Sequence, residues 1–265
     1  MGKTLDRIVR GVGEVLSPTR CAGCERPGEL ICADCLERFE LIDPLLSCTR
    51  CASPFGSLLC TECDADRGEI ENTADGNTTE SPQSNPLLDN EAVGCARVLA
   101  AATYAGPVPR IVRAYKDGGE RRLGKLIAEL MLDCAEHAEA RAPERYGGIL
   151  LDADAATFVP ATAEAFARRG FDHMELVCRT FCELAGKPML DTMIKRGRGD
   201  QRKLGRAGRL GQARELYRVD TDVCGMRILL LDDVITTGAT MTAAGTALRD
   251  AGAVNVDGLA LARVW

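Results

Sequence analysis

An α/β fold is predicted from about residue 92 to 265: a five-stranded, mostly parallel sheet with helices on both faces, preceded by a small cysteine-based metal module. Three observations predict it. Residues 228–231 (Ile-Leu-Leu-Leu) form an uninterrupted apolar run that leads into Asp232, Asp233, a Thr-Thr-Gly-Ala-Thr turn and a helix-like segment over 242–250. Strand-like and helix-like segments alternate from residue 92 onward, the pattern of a parallel sheet. Eight of the 13 cysteines fall between positions 21 and 63.

In chain order, Leu5, Ile8, Val9, Val12, Val15 and Leu16 recur at helical spacing, so the sequence predicts a short amphipathic helix over 4–16 within a leading segment 1–17. Gly11 and Gly13 weaken it and Ser17-Pro18 ends it. Its character is that of a docking element. Residues 18–63 then hold four Cys-x-x-Cys knuckles: Cys21 and Cys24, Cys32 and Cys35, Cys48 and Cys51, Cys60 and Cys63. Each knuckle offers two thiolates from one tight turn, and tetrahedral zinc takes four, so eight ligands predict two structural sites. First-with-second and third-with-fourth pairing gives two compact ribbons; a cross-braced pairing stays open. The only histidines are His137 and His173, and no open, catalytic coordination position is implied. The other cysteines, Cys95, Cys134, Cys178, Cys182 and Cys224, read as small buried hydrophobes. Residues 64–91 turn acidic and polar, with Arg67 the one base, and are predicted to be a disordered linker.

The segment from 92 to 265 opens with an entry strand over 96–104 and helices over 108–116 and 120–136, the second striped by Leu123, Ile127, Leu130 and Met131. Between the helices, Tyr115-Lys116-Asp117-Gly118-Gly119 forms a basic turn. Residues 195–214 carry eight bases, Lys195, Arg196, Arg198, Arg202, Lys203, Arg206, Arg209 and Arg214, against Asp200. Such a stretch suits closure over a polyanionic ligand, contact with a nucleic-acid backbone, or a merely solvated loop. The run at 228–231 suits a central strand buried on both faces. Asp232 and Asp233 are expected to emerge at its C-terminal end, where open α/β sheets place ligands. Thr236, Thr237, Gly238, Ala239 and Thr240 offer backbone N–H groups and hydroxyls at a helix N-terminus, which favours an anion. The Walker pattern is absent.

This strand, loop and helix resemble the PRPP-binding motif of type I phosphoribosyltransferases. The resemblance implies that Asp232 and Asp233 hold the ribose 2- and 3-hydroxyls, and that the loop from Thr236 through Gly238 and Ala239 to Thr240 holds the 5-phosphate. The basic turn, Val159-Pro160 followed by Arg169-Gly170-Phe171-Asp172, Gln201-x-x-Leu204 with Arg209, and the zinc knuckles together resemble the ComF branch of that fold. Thr157-Phe158 stands where that branch has a first Val-Pro, and Ala161-Thr162-Ala163-Glu164-Ala165 stands in a loop usually rich in bases. Lys116 and Arg169 are then expected at PRPP, with magnesium accompanying it. The resemblance implies a role in DNA uptake during competence, with single-stranded DNA or a competence-machinery protein as partner. A non-catalytic adaptor that binds DNA or protein through zinc ribbons and the basic loop is the rival reading.

Composition narrows this further. Hydrophobic content of 46% excludes a wholly disordered chain, and a net charge of -6 argues against general nucleic-acid coating. No apolar run approaches the ~20 residues of a membrane span. Residues 1–17 lack the apolar core of a secretory signal, so a cytoplasmic protein is expected. Thr236 stands where purine salvage enzymes usually place an acid, which argues against purine salvage. The N-terminus lacks a glutamine-hydrolysing cysteine pattern, which argues against an amidotransferase.

Overall fold

The computed structural model describes residues 19–56, 58–64, 94–195 and 216–265. The expected 4–16 helix, the acidic stretch beyond Asp64 and the basic stretch beyond Lys195 lie outside those residues. Along the chain come α1 (Ala33–Leu36), β1 (Arg97–Thr103), α2 (Val108–Lys116), α3 (Leu123–Arg141), α4 (Pro143–Tyr146), β2 (Ala155–Phe158), α5 (Ala163–Arg169) and α6 (His173–Ala185). They are followed by β3 (Met193–Lys195), β4 (Tyr217–Val219), β5 (Arg227–Ile235), α7 (Ala239–Asp250) and β6 (Asn255–Arg263).

The main sheet is parallel throughout, in the order β1-β6-β5-β2. It holds four strands among the described residues rather than the expected five. Beside β2, the next position is reduced to a single parallel bridge between Ala156 and Met189. There Ala156 N–H donates to the Pro188 carbonyl at 2.9 Å and Leu190 N–H donates to Ala156 at 2.8 Å. Pro188 has no N–H to extend the ladder. The chain instead pairs β3 with β4 as a separate antiparallel hairpin.

Side chains alternate along each strand and so build a core on both sides. Leu99, Leu229, Leu231, Leu259, Leu261 and Phe158 face α2, α3 and α6. Val98, Ala100, Ile228, Leu230, Val256 and Ala260 face α7 and the β3–β4 hairpin. A strand covered on both faces has no polar side to show, which is why 228–231 reads as unbroken apolar sequence.

The cysteine-bearing segment covers the exposed edge of β1. Ile42 N–H donates to Ala101 at 3.0 Å, Thr103 N–H to Glu40 at 2.8 Å and Val98 N–H to Thr49 at 2.7 Å. These bonds satisfy edge groups that would otherwise template pairing with another chain. No helix among the described residues is long and apolar enough to cross a membrane.

Candidate functional site

β5 continues to Ile235, so Asp232 and Asp233 sit inside the strand rather than at its end, which corrects the expected emergence. Both are buried, at 8% and 5% exposure. Consecutive strand residues point to opposite faces, and the two carboxylates accordingly enter different environments.

Asp233 turns to the α2 and α6 side. Its Oδ2 accepts from Lys116 Nζ, the last residue of α2, and lies 2.8 Å from His173 Nε2, the first residue of α6. Burial alone would raise its pKa, but the His173 hydrogen bond and the Lys116 charge hold the carboxyl down to about 2. The network then extends outward. Arg169 Nη1 lies 3.4 Å from His173 Nδ1, and Arg169 donates to Asp117 Oδ1 from Nε at 3.2 Å and Nη2 at 3.1 Å. The structure brings Lys116 and Arg169 together with Asp233 and engages both cations with acids of the chain itself.

Asp232 turns to the α7 and hairpin side. Its Oδ1 accepts from the Asp233 N–H at 2.9 Å. Burial, followed by the charge of Asp233, pushes the carboxyl up to about 8, against the opposing pull of Lys116 and Lys195. The Tyr217 hydroxyl, also buried, has no hydrogen-bond partner among the described residues and shares this field. Lys195 Nζ stands 5.4 Å above the Tyr217 ring.

A raised carboxyl pKa has a definite sign in stability. The unfolded chain releases this proton near pH 4, whereas the folded chain keeps it until about pH 8, so Asp232 drains stability as pH rises between those values. Asp232→Asn keeps the acceptor and removes the ionisation. It is expected to raise the melting temperature more at pH 8 than at pH 5; an equal shift at both, or a loss at both, would overturn this assignment of the strain.

The loop beyond is held open. Thr236, Thr237 and Ala239 are exposed, while Gly238 and Thr240 are half-buried. Gly238 caps α7 at φ +78, a left-handed conformation that glycine adopts without cost. Thr242 N–H returns to the Gly238 carbonyl at 2.9 Å, which starts the helix, and Ala239 N–H donates to Thr237 Oγ1 at 3.4 Å. A hollow of about 10 Å³ at this point is lined by Asp232, Thr236, Gly238 and Thr240 among others. The geometry thus joins the loop to Asp232 on one side of the sheet, with Asp233, Lys116 and Arg169 on the other.

The knuckles pair in sequence order. Cys21, Cys24, Cys32 and Cys35 form one cluster and Cys48, Cys51, Cys60 and Cys63 the other, with all Sγ atoms in each within 4.8 Å of one another. Cys24 and Cys32 Sγ are 3.6 Å apart, and Cys51 and Cys60 Sγ 3.7 Å. A thiolate tetrahedron with bonds of ~2.3 Å has edges of about 3.8 Å, so each cluster fits one metal ion. The Cys48 thiol is drawn down to about 5, chiefly by its hydrogen bond with Cys51 and against burial. All eight are free of disulfides. Of the scattered cysteines, Cys95, Cys178 and Cys182 are buried as expected and Cys134 is half-buried. Cys224 is exposed, because it lies on the 223–226 turn leading into β5 and not within an element.

His173 was missed by the sequence reading, although it directly follows the N-cap Asp172 of the Arg-Gly-Phe-Asp turn. Asp172 Oδ1 accepts from Met174 N–H at 2.9 Å, which fixes the start of α6 and hence the imidazole. Arg263 was also missed; nothing local in sequence singles out the last residue of a strand.

The chain resembles known proteins over much of its length. Competence protein ComFC of Streptococcus pneumoniae is 28% identical over 212 residues, 78% of this chain and 88% of that protein. DNA utilization protein YhgH of Salmonella typhimurium is 26% identical over 169 residues, and that of Escherichia coli K12 is 26% identical over 172 residues; each match spans 63% of this chain and 72% of the relative. No family model matches. Among solved structures, the allosteric regulatory enzyme of purine biosynthesis aligns with 23% identity and a TM-score of 0.33, over 57% of this chain and 26% of that one. With its parallel sheet, helices on both faces and two four-cysteine clusters, the chain is similar to the ComFC and YhgH proteins over most of its length.

Proposed function

We propose that the chain binds PRPP at the end of β5 and serves competence or DNA utilization, the roles that its relatives' names carry. The observation that carries this reading is the meeting of Asp232 with an exposed threonine loop and a left-handed glycine at the start of α7. In this reading the 236–240 loop takes the 5-phosphate through N–H groups and hydroxyls. Asp232 accepts from the ribose diol, joined by Asp233 once Lys116 yields its oxygen. Lys116 and Arg169 then stand free to meet pyrophosphate. For transfer, the C1–oxygen bond to pyrophosphate breaks as a bond from C1 to an acceptor forms, and the chain's part is to hold ribose and phosphate still while charge moves onto the leaving group. Magnesium, bound mainly through the substrate's oxygens, would neutralise that charge. Zinc is the ion proposed for both cysteine clusters, on the strength of four thiolates at tetrahedral spacing.

The test is a calorimetric titration of the zinc-loaded chain with magnesium and PRPP, beside Asp232→Asn/Asp233→Asn. Micromolar binding to the native chain and its loss in a variant that still melts cooperatively is the expected result. Absence of binding by the well-folded native chain would remove the PRPP reading.

One observation favours an adaptor role alongside. Phe55 and Trp265, exposed at 67% and 66%, meet edge-to-face with centroids 5.4 Å apart beside the second cysteine cluster. An exposed aromatic pair is a stacking platform for unpaired bases. Trp265 is the only tryptophan, so quenching of its fluorescence by oligo(dT), and its absence with duplex DNA, would support this role directly.

A further inference from the structure

Arg263 ends β6 and is 8% exposed, yet its described partners are all main-chain carbonyls. Nε donates to the Cys51 carbonyl at 2.8 Å, while Nη1 donates to Ile235 at 3.5 Å and lies closer still to the carbonyls of Thr236 and Val264. One guanidinium therefore joins a candidate metal ligand to the first residue of the 236–240 loop. A buried charge persists only where its hydrogen bonds are satisfied, so these carbonyls are held in place as firmly as they hold it.

The cluster and the loop do not close on each other by packing. A cavity of about 190 Å³ lies between them, lined by Arg50, Cys51, Cys63, Thr237, Gly238 and Thr242 among others. Among the described residues the guanidinium bonds to both sides of the gap. The turn on the cluster side is also strained. Ala52, next after Cys51, sits at φ +57, a left-handed conformation that the alanine Cβ disfavours. Such a turn persists only where its surroundings enforce it. Ala52 N–H to Cys48 at 2.8 Å and Cys48 N–H to Ser53 at 2.9 Å fasten it within the knuckle. Metal on Cys48 and Cys51 would complete the enforcement.

We infer that Arg263 is a positioning residue that hangs the anion loop on the second cysteine cluster, so that metal in that cluster sets how tightly the loop holds a phosphorylated ligand. This rests on the reading of 236–240 as the anion loop. Metal fixes the Cys51 turn, the turn fixes the carbonyl that Arg263 grips, and Arg263 fixes Thr236. Without metal, Ala52 relaxes, the Cys51 carbonyl swings away and the loop loses its anchor. The consequence is a ligand site that responds to occupancy of a cluster that never touches the ligand.

The experiment compares the native chain with Arg263→Gln, Arg263→Lys, Cys60→Ser and Arg263→Gln/Cys60→Ser. Each is analysed for metal content, for binding of magnesium with PRPP and of pyrophosphate alone by calorimetry, and for hydrogen exchange at the amides of 236–241 without ligand. Cys60→Ser is expected to lose one metal and weaken binding roughly tenfold. Arg263→Gln is expected to match that loss with both metals retained, Arg263→Lys to restore part of it, and the double variant to be no worse than either single one. Loop amides should exchange faster in each weakened variant. Native affinity and native loop exchange in Arg263→Gln, or additive losses in the double variant, would overturn the inference. Should Cys60→Ser fail to fold, the two Arg263 variants still decide. If the native chain binds neither PRPP nor pyrophosphate while loop exchange still follows Arg263 and metal, the anion reading falls and the mechanical coupling stands.

Discussion

Cys21→Ser/Cys35→Ser is expected to cost the chain one metal ion and to lower its melting temperature by more than about 10 °C, a far larger fall than Cys60→Ser produces. The difference follows from where the two clusters sit. Cys21 and Cys35, each 1% exposed, belong to the same core as Leu99, Val108, Ile111 and Leu123. Cys48, Cys60 and Cys63 form a small core of their own, flanked by Cys51 and Leu59. The first cluster is also wedged against α2. A Cβ on Gly23 would lie 2.7 Å from Cys35 Sγ and 3.0 Å from Pro107 Cβ, so the knuckle has no spare room there. Arg122 Nη1 ties to Thr19 Oγ1 at 3.1 Å and Arg110 Nη1 to the Gly23 carbonyl at 3.4 Å, joining the same knuckle to α2 and the start of α3. Structural zinc sites supply on the order of 10 kcal/mol of binding free energy that is realised as folding free energy. Loss at the first cluster therefore removes ligands that are themselves part of the main core, whereas the second cluster's thiols lie in a small core of their own, which meets the sheet through Thr49, Ala52 and the Cys51 carbonyl. Metal analysis with thermal melts checks this, and equal falls for the two clusters would refute it.

What could be read in advance divides along a physical line. Ile228, Leu229, Leu230 and Leu231, none more than 1% exposed, were legible because burial on both faces leaves its mark in consecutive residues. The knuckles were legible because both thiolates of each come from one turn, and the sequential pairing proved to be the one adopted. The fate of Asp233 was not legible. Its partner His173 is 60 positions away, and the contact exists only after α6 has docked on the sheet. The same holds for Arg263, whose Nε grips Cys51 across 212 positions. The absence of a fifth strand beside β2 among the described residues has a local cause, since Pro188 withholds the N–H that would have extended the pairing there. Local chemistry writes itself into sequence; the choice of a partner across the fold does not.

Lys116→Met is expected to destabilise the chain by about 2 kcal/mol at neutral pH, because it removes one of the two partners of the buried Asp233 carboxylate and leaves His173 alone to compensate it. The pair is well placed for such a loss. The Lys116 side chain is 25% exposed and the Asp233 side chain 7%, so solvent screens little of their attraction. Methionine keeps the apolar stem, and the substitution therefore isolates the charge from the packing. The pH dependence carries the sharper signature. Asp233 is held at about 2 in the folded chain, below its unfolded value near 4, so its stabilising contribution is present above pH 4 and is lost as pH falls toward 2. Removing Lys116 raises the folded pKa and leaves less to lose. The gap between native and variant melting temperatures should thus be widest at neutral pH and narrow between pH 4 and pH 2. A gap that does not change over that range would mean that methionine acts through packing alone, and that Asp233 is held by His173 without help from α2. A narrowing gap would establish that the acid at the centre of the proposed ribose site is kept ionised by a lysine that a ligand must displace.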